Sequence, residues 1–141
     1  MPRFLEWRTS VVAVQVNFAQ AALVAIGAAI GALARWGAGL ALNNLWAGFP
    51  LGTLWVNCLG GLLIGGAMQW FLRWPDDYLR LFLVTGALGG FTTFSSFSAE
   101  SLGLLQREQW GLALLHAGAH LLGALACTAL GFALMRYLLR S

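Results

Sequence analysis

The sequence predicts an all-α membrane protein with four transmembrane helices in a single domain. Of its 141 residues, 60% are hydrophobic and only 9% are charged, whereas about 25% are charged in an ordinary soluble domain. Four long segments contain no Asp, Glu, Lys or Arg: residues 9–34, 36–72, 81–99 and 109–135. A helix needs roughly 20 apolar residues to cross the hydrocarbon core of a bilayer. Each segment therefore accommodates one span.

The limits of the spans follow from breaker residues and from the charges between them. We expect helices over residues 18–40, 51–71, 78–105 and 110–137. Pro50 suits the first turn of the second helix, where no backbone N–H is needed. The apolar run of the first span continues to Arg35 without a convincing cleavage site, so we interpret residues 1–17 as an N-terminal extension and not as a signal peptide. Residues 18–141 then form the membrane domain.

The basic side chains point to the lipid headgroups and not to nucleic acid. All eight are arginines, and most lie at predicted helix ends, where cations anchor a span at the membrane interface. Arg35, with Trp36 beside it, is expected to reach the headgroups at the end of the first span. Six of the eight flank the side that carries both termini, so the positive-inside rule alone predicts cytoplasmic termini.

Two small-residue motifs predict close helix packing within the membrane. The first span contains Gly27-x-x-x-Gly31 and the second contains Gly61-x-x-x-Gly65. Glycines at this spacing lie on one face of a helix and let a neighbouring backbone approach. We therefore expect both spans to pack closely against other helices.

The third span is expected to be broken at mid-membrane. The pair Gly89-Gly90 interrupts an apolar helix and precedes a run of phenylalanines and hydroxyls, residues 91–98. Unpaired backbone at this depth must be buried in protein or line a wet cavity. Broken helices of this kind commonly hold ions through their exposed carbonyls. We place the predicted break at Gly89-Gly90.

Polar residues inside the spans are the candidates for function, because each is costly in lipid unless it has a partner or water. Thr53 and Asn57 are four residues apart and share one face of the second helix. The amide of Asn57 can donate two hydrogen bonds, which is useful to an anion. The alternative is an interhelical hydrogen bond worth about 0.6 kcal/mol on average, and Asn57 taken alone favours this alternative.

The third span carries a polar stripe beside a pair of aromatic rings. Thr93, Ser96 and Glu100 follow at i, i+3 and i+7, which places them on one helix face. Phenylalanines at helical spacing in a membrane usually only pack. Here the rings of Phe94 and Phe97 alternate with hydroxyls beside a helix break, which favours a pore. The positive edge of an aromatic ring can stabilise an anion. Glu100, the single carboxylate within the predicted spans, is a candidate proton relay or a solvated side chain.

The sequence contains no pattern typical of an enzyme. It has no phosphate-binding loop after a strand and no nucleophile with an oriented base. His116 and His120 are four residues apart, a spacing that suits a metal ion. Without a third ligand, we favour packing or a hydrogen bond for both. Cys58 and Cys127 fall inside spans and are interpreted as small packing residues.

Three segments resemble the small bacterial fluoride channels called Fluc or CrcB, and the resemblance spans about residues 22–135. They are the segment Gly31-Ala-Leu-Ala-Arg-Trp36, the segment Pro50-Leu-Gly-Thr-Leu-Trp-Val-Asn57, and the run GGFTTFSSFSAE over residues 89–100. The segments occur in the family's order. The third is the most specific, because it combines a broken helix with alternating phenylalanines and hydroxyls.

The resemblance implies a passive, fluoride-selective channel in the bacterial plasma (inner) membrane, which exports fluoride and relieves its toxicity. It implies a homodimer of antiparallel subunits with two pores along the interface. The residues that match the family's pore and its surroundings are Asn57, Phe94, Phe97, Thr93, Ser96, Thr53 and Glu100. Arg35 matches an arginine at the vestibule.

The resemblance also implies a structural sodium ion. The backbone carbonyls of Gly89 and Thr92 match those that hold it, two from each subunit. The chain departs from the family's pattern in its fourth span, where His116 and His120 lie near the usual positions of a tyrosine and a serine. The N-terminal extension has no counterpart in the pattern.

Two other classes of protein are alternatives to a fluoride channel. A proton-coupled small multidrug exporter also has four short spans, but it needs a carboxylate at the centre of the first span, which this chain lacks. A non-transporting assembly protein would explain the glycine motifs but not the hydroxyl run. On orientation, the resemblance predicts both orientations within one dimer. We prefer this to the positive-inside rule, because a symmetric ion site needs two broken helices that cross antiparallel.

Overall fold

The computed structural model describes residues 17–43, 45–46 and 48–140. Helix α1 spans Phe18–Leu42, α2 spans Leu51–Arg73 and α6 spans Trp110–Leu138. The third span, Asp77–Gln106, lies between α2 and α6. All four are long and apolar enough to cross a membrane. The predicted all-α architecture with four spans is confirmed.

Helix α1 begins where the sequence predicts. Asn17 has extended backbone, and its Oδ1 accepts a hydrogen bond of 3.0 Å from the Ala19 N–H. An asparagine in this position satisfies one of the N–H groups that a helix start leaves without a partner. The rest of the predicted N-terminal extension, residues 1–16, lies outside the described residues.

The third span is a series of helical segments with one true interruption. It consists of α3 (Asp77–Arg80), a π-helix (Leu81–Leu88), α4 (Gly89–Phe91) and, after the interruption, α5 (Phe94–Gln106). The interruption is the pair Thr92–Thr93, whose ψ angles of 157° and 119° are those of extended chain. The helix break is therefore present, near the middle of the span.

The predicted position of the break was wrong. Gly89 is helical, with φ −64° and ψ −37°, and the chain leaves the helix only at Thr92. Gly90 serves helix packing instead. A Cβ on Gly90 would lie 2.9 Å from Ala28 Cα, so the absent side chain lets this segment touch α1. The break forms at the threonines because Thr93 caps the next helix with its own side chain.

Both glycine motifs pack as predicted. A Cβ on Gly31 would lie 2.7 Å from the backbone nitrogen of Phe91, and one on Gly65 would lie 2.8 Å from that of Phe132. Helix α1 thus packs against the first half of the third span, and α2 packs against α6, with backbones in direct contact. These two glycine-lined pairs hold the bundle together, while α5 rests on α6 through longer side chains.

Candidate functional site at the break of the third span

The side chain of Asn57 holds the break from α2. Its Oδ1 accepts the Thr93 N–H at 2.8 Å, and its Nδ2 donates to the Thr93 carbonyl at 3.0 Å. In a continuous helix the Thr93 N–H would bond to the carbonyl of Gly89. Asn57 therefore replaces a helical hydrogen bond with a contact from another helix. This is the interhelical bond that the sequence favoured for Asn57.

The second hydrogen on Asn57 Nδ2 also has a partner. Nδ2 lies 3.1 Å from His120 Nδ1 on α6. Both hydrogen bonds that the Asn57 amide can donate are therefore made within the subunit, and donation to an anion stays a prediction. One hydrogen holds the Thr93 carbonyl, and only the one directed at His120 is separable from the break.

One cavity beside the break is polar. Its volume is about 410 Å³. It is lined, among others, by five of the residues expected in the site: Arg35, Thr53, Thr93, Ser96 and Glu100. The Thr53 hydroxyl lies 2.5 Å from Glu100 Oε1 and donates to it. We name this space the polar cavity. The predicted polar stripe of the third span thus faces one space.

A second cavity, on the other side of Thr93, is mostly aromatic and aliphatic. It has a volume of about 670 Å³ and is lined by Asn57, Thr93, Phe94, Phe97 and His120, among others. The rings of Phe94 and Phe97 have centroids 5.4 Å apart. Phe94 is 78% exposed, at the middle of a membrane span. We name this space the aromatic cavity. Thr93 is the expected site residue that lines both cavities.

Thr93 also organises the start of α5. Its Oγ1 accepts the Ser96 N–H at 3.1 Å and lies 3.2 Å from Ser96 Oγ and 3.1 Å from Ser95 Oγ. A hydroxyl cluster forms here because Thr93 must turn its side chain back onto the first turn to cap it. The N-terminus of α5, with its partial positive charge, therefore opens between the two cavities.

Arg35 reaches the break instead of the membrane surface. Its Nε donates to the Gly90 carbonyl at 3.1 Å. Helix α1 continues past it to Leu42, so Arg35 lies inside the span. The interpretation of Arg35 as a headgroup anchor at the helix end was wrong, because the carbonyl freed at the break is a closer partner. Arg35 also lines the polar cavity, and its role at the vestibule stays a prediction.

The two histidines are buried, and their rings lie against that of Phe97. His116 is 0% and His120 5% exposed, and their ring centroids lie 5.3 Å and 4.8 Å from that of Phe97. Packing was the favoured expectation for them. What the sequence did not predict is their neighbour: Glu100 Oε2 lies 3.4 Å from His116 Nε2. The spacing of the histidines and the lone carboxylate were the available signals, but only the packing of α5 on α6 brings them together.

A membrane-spanning helical bundle with a polar cavity at a broken helix is the class of protein that these features define. Residues 22–132 match the family described as "CrcB-like protein, Camphor Resistance (CrcB)". The chain belongs to this family, and it is a multi-pass membrane protein.

Curated relatives share about half of the residues. A protein of Bordetella petrii is 54% identical over 112 residues, which cover 78% of this chain and 86% of the relative. One of Aromatoleum aromaticum is 49% identical over the same shares. One of Pasteurella multocida is 49% identical over 84% of this chain and 94% of the relative. All three are named "Fluoride-specific ion channel FluC", the name of a channel and not of an enzyme.

Proposed function

We propose that the chain is the subunit of a passive, fluoride-selective ion channel that exports fluoride. The relatives' name supports the ion. The observation in this chain that carries the proposal is the hydroxyl-capped N-terminus of α5, which lies at mid-membrane between the polar cavity and the aromatic cavity. A small, strongly hydrated anion needs many donors in place of water, and these residues supply them without a carboxylate at the cap.

The rings of Phe94 and Phe97 complete the pathway. Phe94 is 78% exposed beside the hydroxyls and lines the aromatic cavity, so its ring edge is accessible to an ion there. Ring edges carry partial positive charge, so they can coordinate an anion between polar sites. In this proposal fluoride accepts the Asn57 Nδ2 hydrogen that is directed at His120. The other Nδ2 hydrogen stays bonded to the Thr93 carbonyl at the break.

Fluoride efflux from liposomes tests the function. Liposomes that contain purified protein and potassium fluoride are given a potassium–valinomycin potential, and a fluoride electrode follows the release. We expect rapid fluoride release and negligible release from a matched potassium chloride preparation. Comparable chloride release, or no fluoride release from folded protein, would sink the proposal. Fluoride release that depends on a proton gradient would favour a coupled exporter instead.

We further propose that two copies assemble antiparallel, with both orientations in one dimer. Phe94 and Ser95 are exposed at the middle of the third span, where a polar side chain that faces lipid is costly. In the proposed dimer a second copy lies across this face. Labelling of Arg140→Cys, with Cys58 and Cys127 replaced by alanine, reports orientation in whole cells. We expect an impermeant reagent to label about half of the copies; labelling of none or of all contradicts the arrangement.

The carbonyls of Gly89 and Thr92 are proposed to hold a structural sodium ion. The N–H groups that would serve them in a continuous helix belong to Thr93 and Ser96. Those groups bond instead to Asn57 Oδ1 and to Thr93 Oγ1. Carbonyl oxygens at a helix break are typical ligands of monovalent cations, so the residues fit the ion. When bound, it supplies a fixed positive charge near the pores.

Sodium removal tests this site. Protein purified with a large organic cation in place of sodium should melt at a lower temperature and lose transport, and added sodium should restore both. Unchanged melting and transport would remove the ion from the account.

A further inference from the structure

Three buried polar atoms converge at the junction of α5 and α6. They are Glu100 Oε2, His116 Nε2 and His120 Nε2, and none has a hydrogen-bond partner among the described residues. One ligand atom from each residue lies within 4.8 Å of the other two. A buried polar atom without a hydrogen bond is rare in folded proteins. Three in one cluster, of which Glu100 Oε2 and His116 Nε2 make only an N···O contact of 3.4 Å with each other, indicate a missing ligand.

The donor set suits a transition metal. Two imidazole nitrogens and one carboxylate oxygen form the three-residue set that binds zinc with a fourth position open. In tetrahedral coordination with bonds of 2.0–2.1 Å, neighbouring ligand atoms are about 3.3 Å apart. Glu100 Oε2 and His116 Nε2 are already 3.4 Å apart. The ligand atom of His120 lies within 4.8 Å of those of the other two residues, so binding requires the His120 ring to move closer to them.

The opposite atom of each ligand is held by a neighbour. Ser101 Oγ lies 3.0 Å from His116 Nδ1, and the Thr53 hydroxyl donates to Glu100 Oε1. Such outer contacts fix the orientation of metal ligands and set which ring nitrogen is free. The carboxylate and His116 are therefore oriented toward the common point before any ion arrives.

His120 links this site to the break. The Thr93 N–H bonds to Asn57 Oδ1, which fixes the orientation of the amide and directs Nδ2–H at His120 Nδ1. Neutral His120 then carries its proton on Nε2. A metal on Nε2 needs that proton on Nδ1, where it would face the hydrogens of Asn57 Nδ2, so binding breaks this hydrogen bond and requires the His120 ring to turn away from Asn57.

We propose that Glu100, His116 and His120 bind one divalent transition-metal ion of the zinc class per subunit. The ion reaches them through the polar cavity, which Glu100 lines, or through the aromatic cavity, which His120 lines. The site exists whether or not the channel conducts fluoride, because it depends only on these three side chains and their neighbours.

Direct metal binding tests the proposal. The protein is purified without a polyhistidine tag, stripped of metal with a chelator and equilibrated with zinc chloride. The chain contains two histidines, so no other imidazole competes. We expect one zinc ion per subunit, and weakening by roughly tenfold or more in each of Glu100→Gln, His116→Asn and His120→Asn. No stoichiometric zinc, or binding that survives all three substitutions, overturns the proposal.

Two controls separate this site from the thiols and from misfolding. Cys58→Ala/Cys127→Ala should bind zinc as the unsubstituted protein does; loss of binding there would assign the metal to the cysteines and overturn the proposal. Cobalt added to the unsubstituted protein should give the visible bands of tetrahedral nitrogen and oxygen ligands, without the near-ultraviolet band of thiolate. This reading needs no variant to fold, and a thiolate band would contradict the site.

Discussion

The two halves of the third span are similar in length but have different roles. The first half, Asp77 to Phe91, is free of charge from Leu81 onward and presents Gly86 and Gly90 to the backbone of α1. The second half, α5, presents the Ser96 hydroxyl and the Glu100 carboxylate to the polar cavity. It leaves Phe94 78% exposed. One half builds the membrane bundle and the other borders the site, and the break allows each half to face its own neighbours.

The break is stabilised from outside the span. Thr93 would leave its backbone N–H unpaired in the membrane, and Asn57 Oδ1 accepts it, while Asn57 Nδ2 adds a hydrogen bond to the Thr93 carbonyl. The Gly90 carbonyl, freed by the same break, accepts from Arg35. An unpaired buried backbone group costs about 1–3 kcal/mol. The side chains of Asn57 and Arg35 therefore stabilise an interrupted helix at this position. Substitutions in the two halves of the third span should differ in their effects.

The largest loss of stability is expected at Asn57, which joins the two halves. Asn57→Leu keeps the volume but leaves the Thr93 N–H without a partner at mid-membrane, at a cost of about 1–3 kcal/mol. Asn43→Leu is the control, because Asn43 is exposed and accepts a backbone N–H, that of Gly52, at the start of α2 and not at mid-membrane. Thermal melting of both variants in one detergent measures the difference. Equal melting temperatures would mean that Asn57 does not hold the break.

The next effect compares glycines from the two halves. Gly90→Ala places a Cβ 2.9 Å from Ala28 Cα, whereas Gly103→Ala meets nothing closer than an Arg107 side-chain nitrogen at 3.6 Å. Overpacking costs about 1–3 kcal/mol, so the yield of folded protein should fall for Gly90→Ala. It should be unchanged or slightly higher for Gly103→Ala, because alanine favours helix. Size-exclusion yield decides; a loss at Gly103 alone would reverse the assignment of the halves.

The smallest effect concerns two arginines that each bond a glycine carbonyl. Arg35 Nε donates to Gly90 in the partly buried break, and Arg107 Nε donates to Gly103 at the exposed end of α5. Arg35→Lys should lower stability by about 1 kcal/mol, because lysine lacks the planar donor fork. Arg107→Lys should change it by less than about 0.5 kcal/mol. Similar melting shifts in the two variants would show that the break gains nothing from Arg35.

Much of the bundle could be predicted because the membrane imposes strong rules on sequence. Charge-free segments of sufficient length specified the four spans, and the motif starting at Gly61 specified a close helix pair. The break was predicted from the glycine pair but lies at Thr92–Thr93. A glycine marks either a broken backbone or a close contact, and the sequence alone does not distinguish these two uses.

The site was harder to predict than the bundle, because its contacts join residues that are far apart in sequence. The polar stripe from Thr93 to Glu100 follows from helical spacing and was predicted. The approach of Glu100 to His116 depends on how α5 lies on α6. The turn of Arg35 toward Gly90 depends on a carbonyl that only the break sets free. Helical periodicity gives the face of one helix but not its partner.

The central claim is that the second half of the third span carries the ion pathway while the first half packs. Fluoride flux per folded protein in Phe94→Ile and Phe91→Ile tests it most directly. The two rings flank the break: Phe91 is 9% exposed and meets Trp55 edge-on with centroids 6.1 Å apart, whereas Phe94 is 78% exposed.

We expect Phe94→Ile to cut flux at least about tenfold, which requires only about 1.4 kcal/mol of lost ion stabilisation. Phe91→Ile should lower stability but leave the flux per folded protein unchanged. Full flux in Phe94→Ile, or equal losses in both variants, would contradict the division of the span into a packing half and a conducting half.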